Sequence, residues 1–143
     1  MLRAFLAAAL ALAFAPGASA APASATLIIK VQKVSPRGGD IRVALYTEAS
    51  YGGENGQPVR DAVVPAKPGE TIVTLSDVGP GVYAVKLFQD FNRNGIFDMS
   101  WYGLPLEKFG FSNDARPTFT EPPFAATRFE LRPGTNTITI RLQ

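Results

Sequence analysis

From Thr26 to Val34 the apolar side chains Leu27, Ile29 and Val31 alternate with Ile28, Lys30 and Gln32. A period of two in a run rich in β-branched residues predicts a strand with one buried face. Pro36-Arg37-Gly38-Gly39-Asp40 reads as a turn, and Ile41 to Tyr46 alternates again as the hairpin partner of the first strand. Thr47 to Gly69 is polar and broken by glycines and prolines, which predicts a long surface loop with a short edge strand near Val63. Glu70 to Leu75 is a third strand, and a further one starts at Tyr83, with Tyr83, Val85 and Leu87 inward and Lys86 outward. Phe124 to Leu131 and Thr135 to Leu142 alternate on either side of the turn at Arg132-Pro133-Gly134. Six strands, with a seventh at the edge and no helix in the mature chain, predict an all-β, antiparallel Greek-key β-sandwich of immunoglobulin or prealbumin type. Its core is expected from Leu27, Ile29, Val31, Val43, Leu45, Val73, Leu75, Tyr83, Val85, Leu87, Phe129, Ile138 and Ile140.

The stretch before the first strand changes the address. A basic start at Arg3, an apolar run from Ala4 to Phe14 and a small-x-small site at Ala18-Ser19-Ala20 predict a secretory signal peptide over residues 1–20. Residues 21–143 then form a single domain, periplasmic or secreted, with no membrane span. The chain has no cysteine, so neither a disulfide framework nor a lipid anchored through an N-terminal cysteine is open to it. It has no histidine either, which excludes Ser-His and Cys-His hydrolysis and a histidine-ligated zinc site. Of its 14 basic residues the leader carries Arg3, which leaves 13 against 12 acidic, a net charge of +1. The cations are scattered along the chain, so nucleic acid is not an expected partner.

Candidate chemistry concentrates in a long loop at residues 90–123. Asp90, Asn92, Asn94, Gly95 and Asp98 follow the spacing of a calcium loop, with side-chain oxygens at alternate positions, the Ile96 carbonyl at the seventh and glycine at the sharp turn. The match to an EF-hand fails at position 12, which is Trp101 rather than glutamate, and Glu107 is the candidate for the missing carboxylate. The expected cofactor is therefore a weakly held Ca²⁺ on Asp90, Asn92, Asn94, Ile96, Asp98 and Glu107. The alternative is a metal-free connection in which the same residues form Asx turns. Eight aromatic residues lie from Phe91 to Phe124. They read either as a satellite core over one end of the sandwich or, for Trp101, Tyr102 and Phe109, as a groove for a sugar or an apolar ligand.

The run Gly-x-Tyr-Ala-Val-x-x-Phe-x-Asp at Gly81 to Asp90, the Asn-x-Asn-Gly loop, Gly-x-Pro-x-Glu at Gly103 to Glu107 and Gly110-Phe111-Ser112-Asn113 resemble the family called domain of unknown function 2141. The resemblance implies a small exported bacterial β-sandwich whose biochemical role is not established. The corner at Val78 to Leu87 is also similar to the prealbumin-like modules of carboxypeptidase regulatory domains. Three classes of function follow. The first is a non-enzymatic module binding an envelope protein or glycan. The second is a carbohydrate- or small-ligand-binding domain, and the third a two-carboxylate glycoside hydrolase drawing on Asp90, Asp98 and Glu107.

Overall fold

Alternation along each strand becomes two facing sheets. The computed structural model describes residues 17, 20–52 and 56–143, so the signal peptide expected over residues 1–20 lies, apart from Gly17 and Ala20, outside the described residues. Eight strands are present among them: β1 (Ala25–Val34), β2 (Asp40–Tyr46), β3 (Arg60–Pro65), β4 (Gly69–Val78), β5 (Gly81–Asp90), β6 (Phe109–Phe111), β7 (Phe129–Leu131) and β8 (Gly134–Arg141). One sheet has the order β4-β1-β8 and the other β3-β2-β5-β6, with β7 pairing the first residues of β5. Leu27, Ile29, Val31, Val43, Leu45, Val73, Leu75, Val85, Leu87 and Ile140 are buried between the sheets, as the period-two pattern requires. Each such aliphatic side chain contributes about 1.5–3 kcal/mol by burial. Tyr83, Phe129 and Ile138 pack against this core while staying partly exposed.

Several expectations are corrected. The first two strands do not form a hairpin: β1 pairs β4 and β8, whereas β2 pairs β3 and β5 in the opposite sheet. The connection between them crosses from one sheet to the other and is tied down by Gln89, a fully buried side chain in β5. Its amide accepts from the Ser35 N–H at 2.8 Å and donates to the carbonyls of Ser35 and Gly38 at 2.9 and 2.8 Å. Gly39, at φ +82°, passes so close to β5 that a Cβ there would lie 2.0 Å from the Asp90 carbonyl oxygen. The sandwich is antiparallel except where β8 runs parallel to β1.

The segment read as one strand from Phe124 to Leu131 is a four-residue helix, α2 (Phe124–Thr127), followed by the short β7. A second short helix, α1 (Glu48–Tyr51), interrupts the loop after β2. Its first turn is closed by Thr47 and Ser50, whose side chain accepts from the Thr47 N–H at 3.0 Å. The edge strand expected near Val63 is β3. Strand β6 carries no signal in the sequence because three residues, Phe-Gly-Phe, show no period. Its glycine lies flat on β8, where a Cβ would meet Ile140 at 2.8 Å. The tyrosine corner is present: the Tyr83 hydroxyl donates to the Gly79 carbonyl at 2.7 Å.

Candidate functional site

Asp90 ends β5 and turns the chain into the asparagine-rich loop. Its carboxylate is 0% exposed and accepts three hydrogen bonds, from Arg42 Nε at 2.6 Å and from the N–H groups of Asn94 and Gly95 at 3.2 and 2.8 Å. Burial by itself would raise the Asp90 pKa, but the bonds from Arg42, Gly95 and Asn94 outweigh it and hold the carboxyl below its ordinary value. Gly95 stands at φ +76°, the left-handed conformation that the spacing reserved for glycine.

The structure brings the other predicted loop residues into the same network. Asn92 and Asn94 both point their side-chain amides at the Asp98 carboxylate, at 2.8 and 3.0 Å. Their oxygens accept from the Asn94 and Ile96 N–H groups, as Asx turns do. Glu107 is buried and staples the loop from behind, one oxygen accepting from the Phe91 N–H at 3.0 Å and the other from the Asp98 N–H at 3.1 Å. The Ile96 side chain is exposed. Among the described residues no three His, Cys, Asp or Glu side chains are grouped so as to hold a metal ion. Each of the three carboxylates accepts hydrogen bonds from the protein's own donors.

Beyond the loop lies a groove of about 830 Å³ on the outer face of the second sheet. Its floor is made of outward positions of β2, β5 and β6: Arg42, Ala44 and Tyr46, then Lys86 and Phe88, then Phe109 and Phe111. A small hairpin forms one wall, closed by the Met99–Pro105 bridge and by Leu106 N–H donating to the Asp98 carbonyl at 3.0 Å. Residues 117–121 form the other wall. The rings of Phe88, Phe97, Phe109 and Phe111 meet edge to face in an unbroken row, with centroids 5.5, 5.7 and 6.0 Å apart. Val63, Met99, Leu104 and Phe119 add exposed apolar surface around it.

Each end of the groove carries a cation. Arg42, bonded to Asp90, stands at the loop end. At the other end Lys86 Nζ lies 4.5 Å from the Tyr46 ring centroid and 4.0 Å from that of Tyr51. It donates to the Tyr51 carbonyl at 2.7 Å and pairs with Glu121. Burial is the main cause that raises the pKa of both tyrosines; the negative charge of Glu121 raises both further, against a hydrogen bond with Thr127 that lowers that of Tyr51.

Of the aromatic residues singled out in the sequence, Phe109 lines the groove. Trp101 is 94% exposed and packs edge to face with Tyr102 at the tip of the hairpin, outside the lining residues. The residues that sequence reasoning missed are Arg42, Ala44, Tyr46, Lys86, Phe88 and Phe111. A signal for some of them exists: in Val43-Ala44-Leu45-Tyr46 and Leu87-Phe88 the outward positions are apolar too, which breaks the inward-only alternation of a solvated face.

No curated protein matches the chain, and no solved structure does. The family model described as "Uncharacterized protein conserved in bacteria (DUF2141)" matches residues 29–139, a span that runs from within β1 into β8 and takes in the whole groove and the Asp90 loop, and the chain belongs to that family.

Proposed function

We propose that this protein is a non-enzymatic, exported binding module that holds a small, largely apolar ligand in the groove over β2, β5 and β6. The observation that carries the reading is the groove itself. Its volume of about 830 Å³ falls within the range of about 300–1,000 Å³ typical of small-molecule sites, and its aromatic floor is interrupted by few polar groups. A sheet face turned to water would be polar at these positions. The edges and faces of four phenylalanines suit an apolar body better than a sugar, whose hydroxyls need many polar partners. A binding role rather than catalysis is supported by the absence of histidine and cysteine. It is supported too by Asp90, Asp98 and Glu107 being engaged in loop bonds. Export to the periplasm or beyond rests on the leader sequence, and a mature N-terminus following Ala20 in the purified envelope fraction would bear it out.

The test is a fluorescence titration with N-phenyl-1-naphthylamine, a neutral apolar probe. Wild-type protein should bind it. Ala44→Trp, which fills the middle of the floor without touching the core, should not. No binding to the wild type, or equal binding to the filled variant, would overturn the reading.

A second reading keeps the Asp90 loop as a calcium site. It is favoured by the convergence of the Asn92 and Asn94 side chains on Asp98. Turning the two amides over would present oxygens where nitrogens now point. Against this stands Arg42, whose charge already occupies one oxygen of Asp90. The loop must exchange that pair, together with its Asx bonds, for metal–oxygen contacts.

A further inference from the structure

The geometry points to the ligand being an anion, with an acidic headgroup bound by the terminal amino groups of Arg42 and an apolar body lying along the phenylalanine row. This inference rests on the groove reading above. Arg42 lines the groove, and its Nε alone is committed, to Asp90. Among the described residues nothing accepts a hydrogen bond from its two terminal amino groups. An arginine held by one edge with the other edge free is the arrangement that receives a carboxylate, sulfonate or phosphate oxygen pair. The guanidinium is also fixed in place. Asp90 is fully buried and itself anchored by two backbone N–H groups, and the loop passes over the guanidinium so closely that a Cβ on Gly95 would sit 3.5 Å from its Cζ. Such fixing lowers the ordering cost that a free arginine would add to binding. The asparagine-rich loop thereby gains a purpose: it positions the cation of the groove.

Charge directs the headgroup to this end and not the other. Lys86 is already paired with Glu121 and capped by two tyrosine rings, and Asp61 stands beside it across Ala44. Two acids against one cation repel an anion there; at the Arg42 end Asp90 is buried beneath the guanidinium, and the loop's other two acids are engaged, Asp98 by the Asn92 and Asn94 amides and Glu107 by the Phe91 and Asp98 N–H groups. From Arg42 to Tyr46 the floor extends four residues along β2, roughly 13 Å at the rise of a strand, enough for a body of several rings or a medium acyl chain.

The experiment uses two fluorescent probes that differ by one sulfonate: 8-anilinonaphthalene-1-sulfonate and N-phenyl-1-naphthylamine. Wild-type protein should bind the sulfonate about tenfold more tightly, the worth of one charge-assisted hydrogen bond. Arg42→Gln places an amide nitrogen where Nε stood, keeping a donor for Asp90 while deleting the terminal amino groups. It should weaken the sulfonate about tenfold and the neutral probe far less, with Lys86→Gln weakening the sulfonate less than Arg42→Gln does. Thermal melts of the same samples confirm that the variants are folded. Equal loss of both probes on Arg42→Gln, no loss of either, or a sulfonate loss that follows Lys86 instead would overturn the inference while leaving the groove intact. Failure of the neutral probe to bind wild-type protein would fell the groove reading itself.

Discussion

The two ends of the groove carry the same formal chemistry, a cation from the sheet paired with a carboxylate, in two different environments. At the Arg42 end the acid is Asp90, 0% exposed, at the close of a central strand, with three donors on two oxygens. At the Lys86 end the acid is Glu121, on the connection before α2, and its side chain is 45% exposed. A buried charge that loses its partner is left without water to replace it, whereas an exposed one is resolvated at once. The Arg42–Asp90 pair therefore holds the fold, and the Lys86–Glu121 pair borders the site.

The largest effect is expected from removing the cation without a substitute. Arg42→Met leaves Asp90 buried and uncompensated, and should cost about 3–5 kcal/mol, read as a fall in the urea midpoint. The Arg42→Gln variant, which keeps a donor, should fall by much less. The same pair has a pH signature. Because the folded Asp90 pKa lies below its ordinary value of 3.8, its contribution is complete above that value and is lost as pH falls through the folded one. Wild-type protein should therefore lose stability on acidification through this window more steeply than Arg42→Gln, as urea midpoints at neutral and acid pH will show.

Calcium probes the Asp90 end, where the candidate oxygen ligands lie. If the loop holds calcium with a dissociation constant on the order of 10⁻⁴ M, typical of weak extracellular sites, about 10 mM calcium should add about 2.7 kcal/mol, and Asp90→Ala should abolish the gain. Equal melting temperatures in calcium and in chelator would establish the loop as a metal-free support for Arg42. An uncharged reference lies away from the groove: Tyr83→Phe removes the exposed 2.7 Å bond to the Gly79 carbonyl and should cost about 0.5–1.5 kcal/mol. The smallest change is expected at the exposed pair. Glu121→Gln should shift stability by less than about 1 kcal/mol, and a larger loss would show that the two ends are not as different as their exposure indicates.

Much of the sandwich was legible because alternation is a local property. Leu27, Ile29 and Val31, or Val73 and Leu75, declare a buried face whatever they pack against. The corner at Tyr83 was legible for the same reason, being closed within four residues. The asparagine loop was legible as a turn, since Asn94 and Gly95 bond to residues only two to five positions away.

Contacts between near neighbours along the chain set the long strands, their inward faces, the corner and the oxygen-rich turn, and these the residues declare on their own, whereas the three-residue β6 and the helix α2 they do not. Only the tertiary structure decided that β1 and β2 part into different sheets, because that depends on Gln89 reaching back 54 residues to Ser35. It alone decided that Asp90 faces Arg42, 48 residues away. It also set Phe88, Phe97, Phe109 and Phe111 in one row along a groove, since outward side chains on neighbouring strands acquire a common surface only when the register between those strands is fixed.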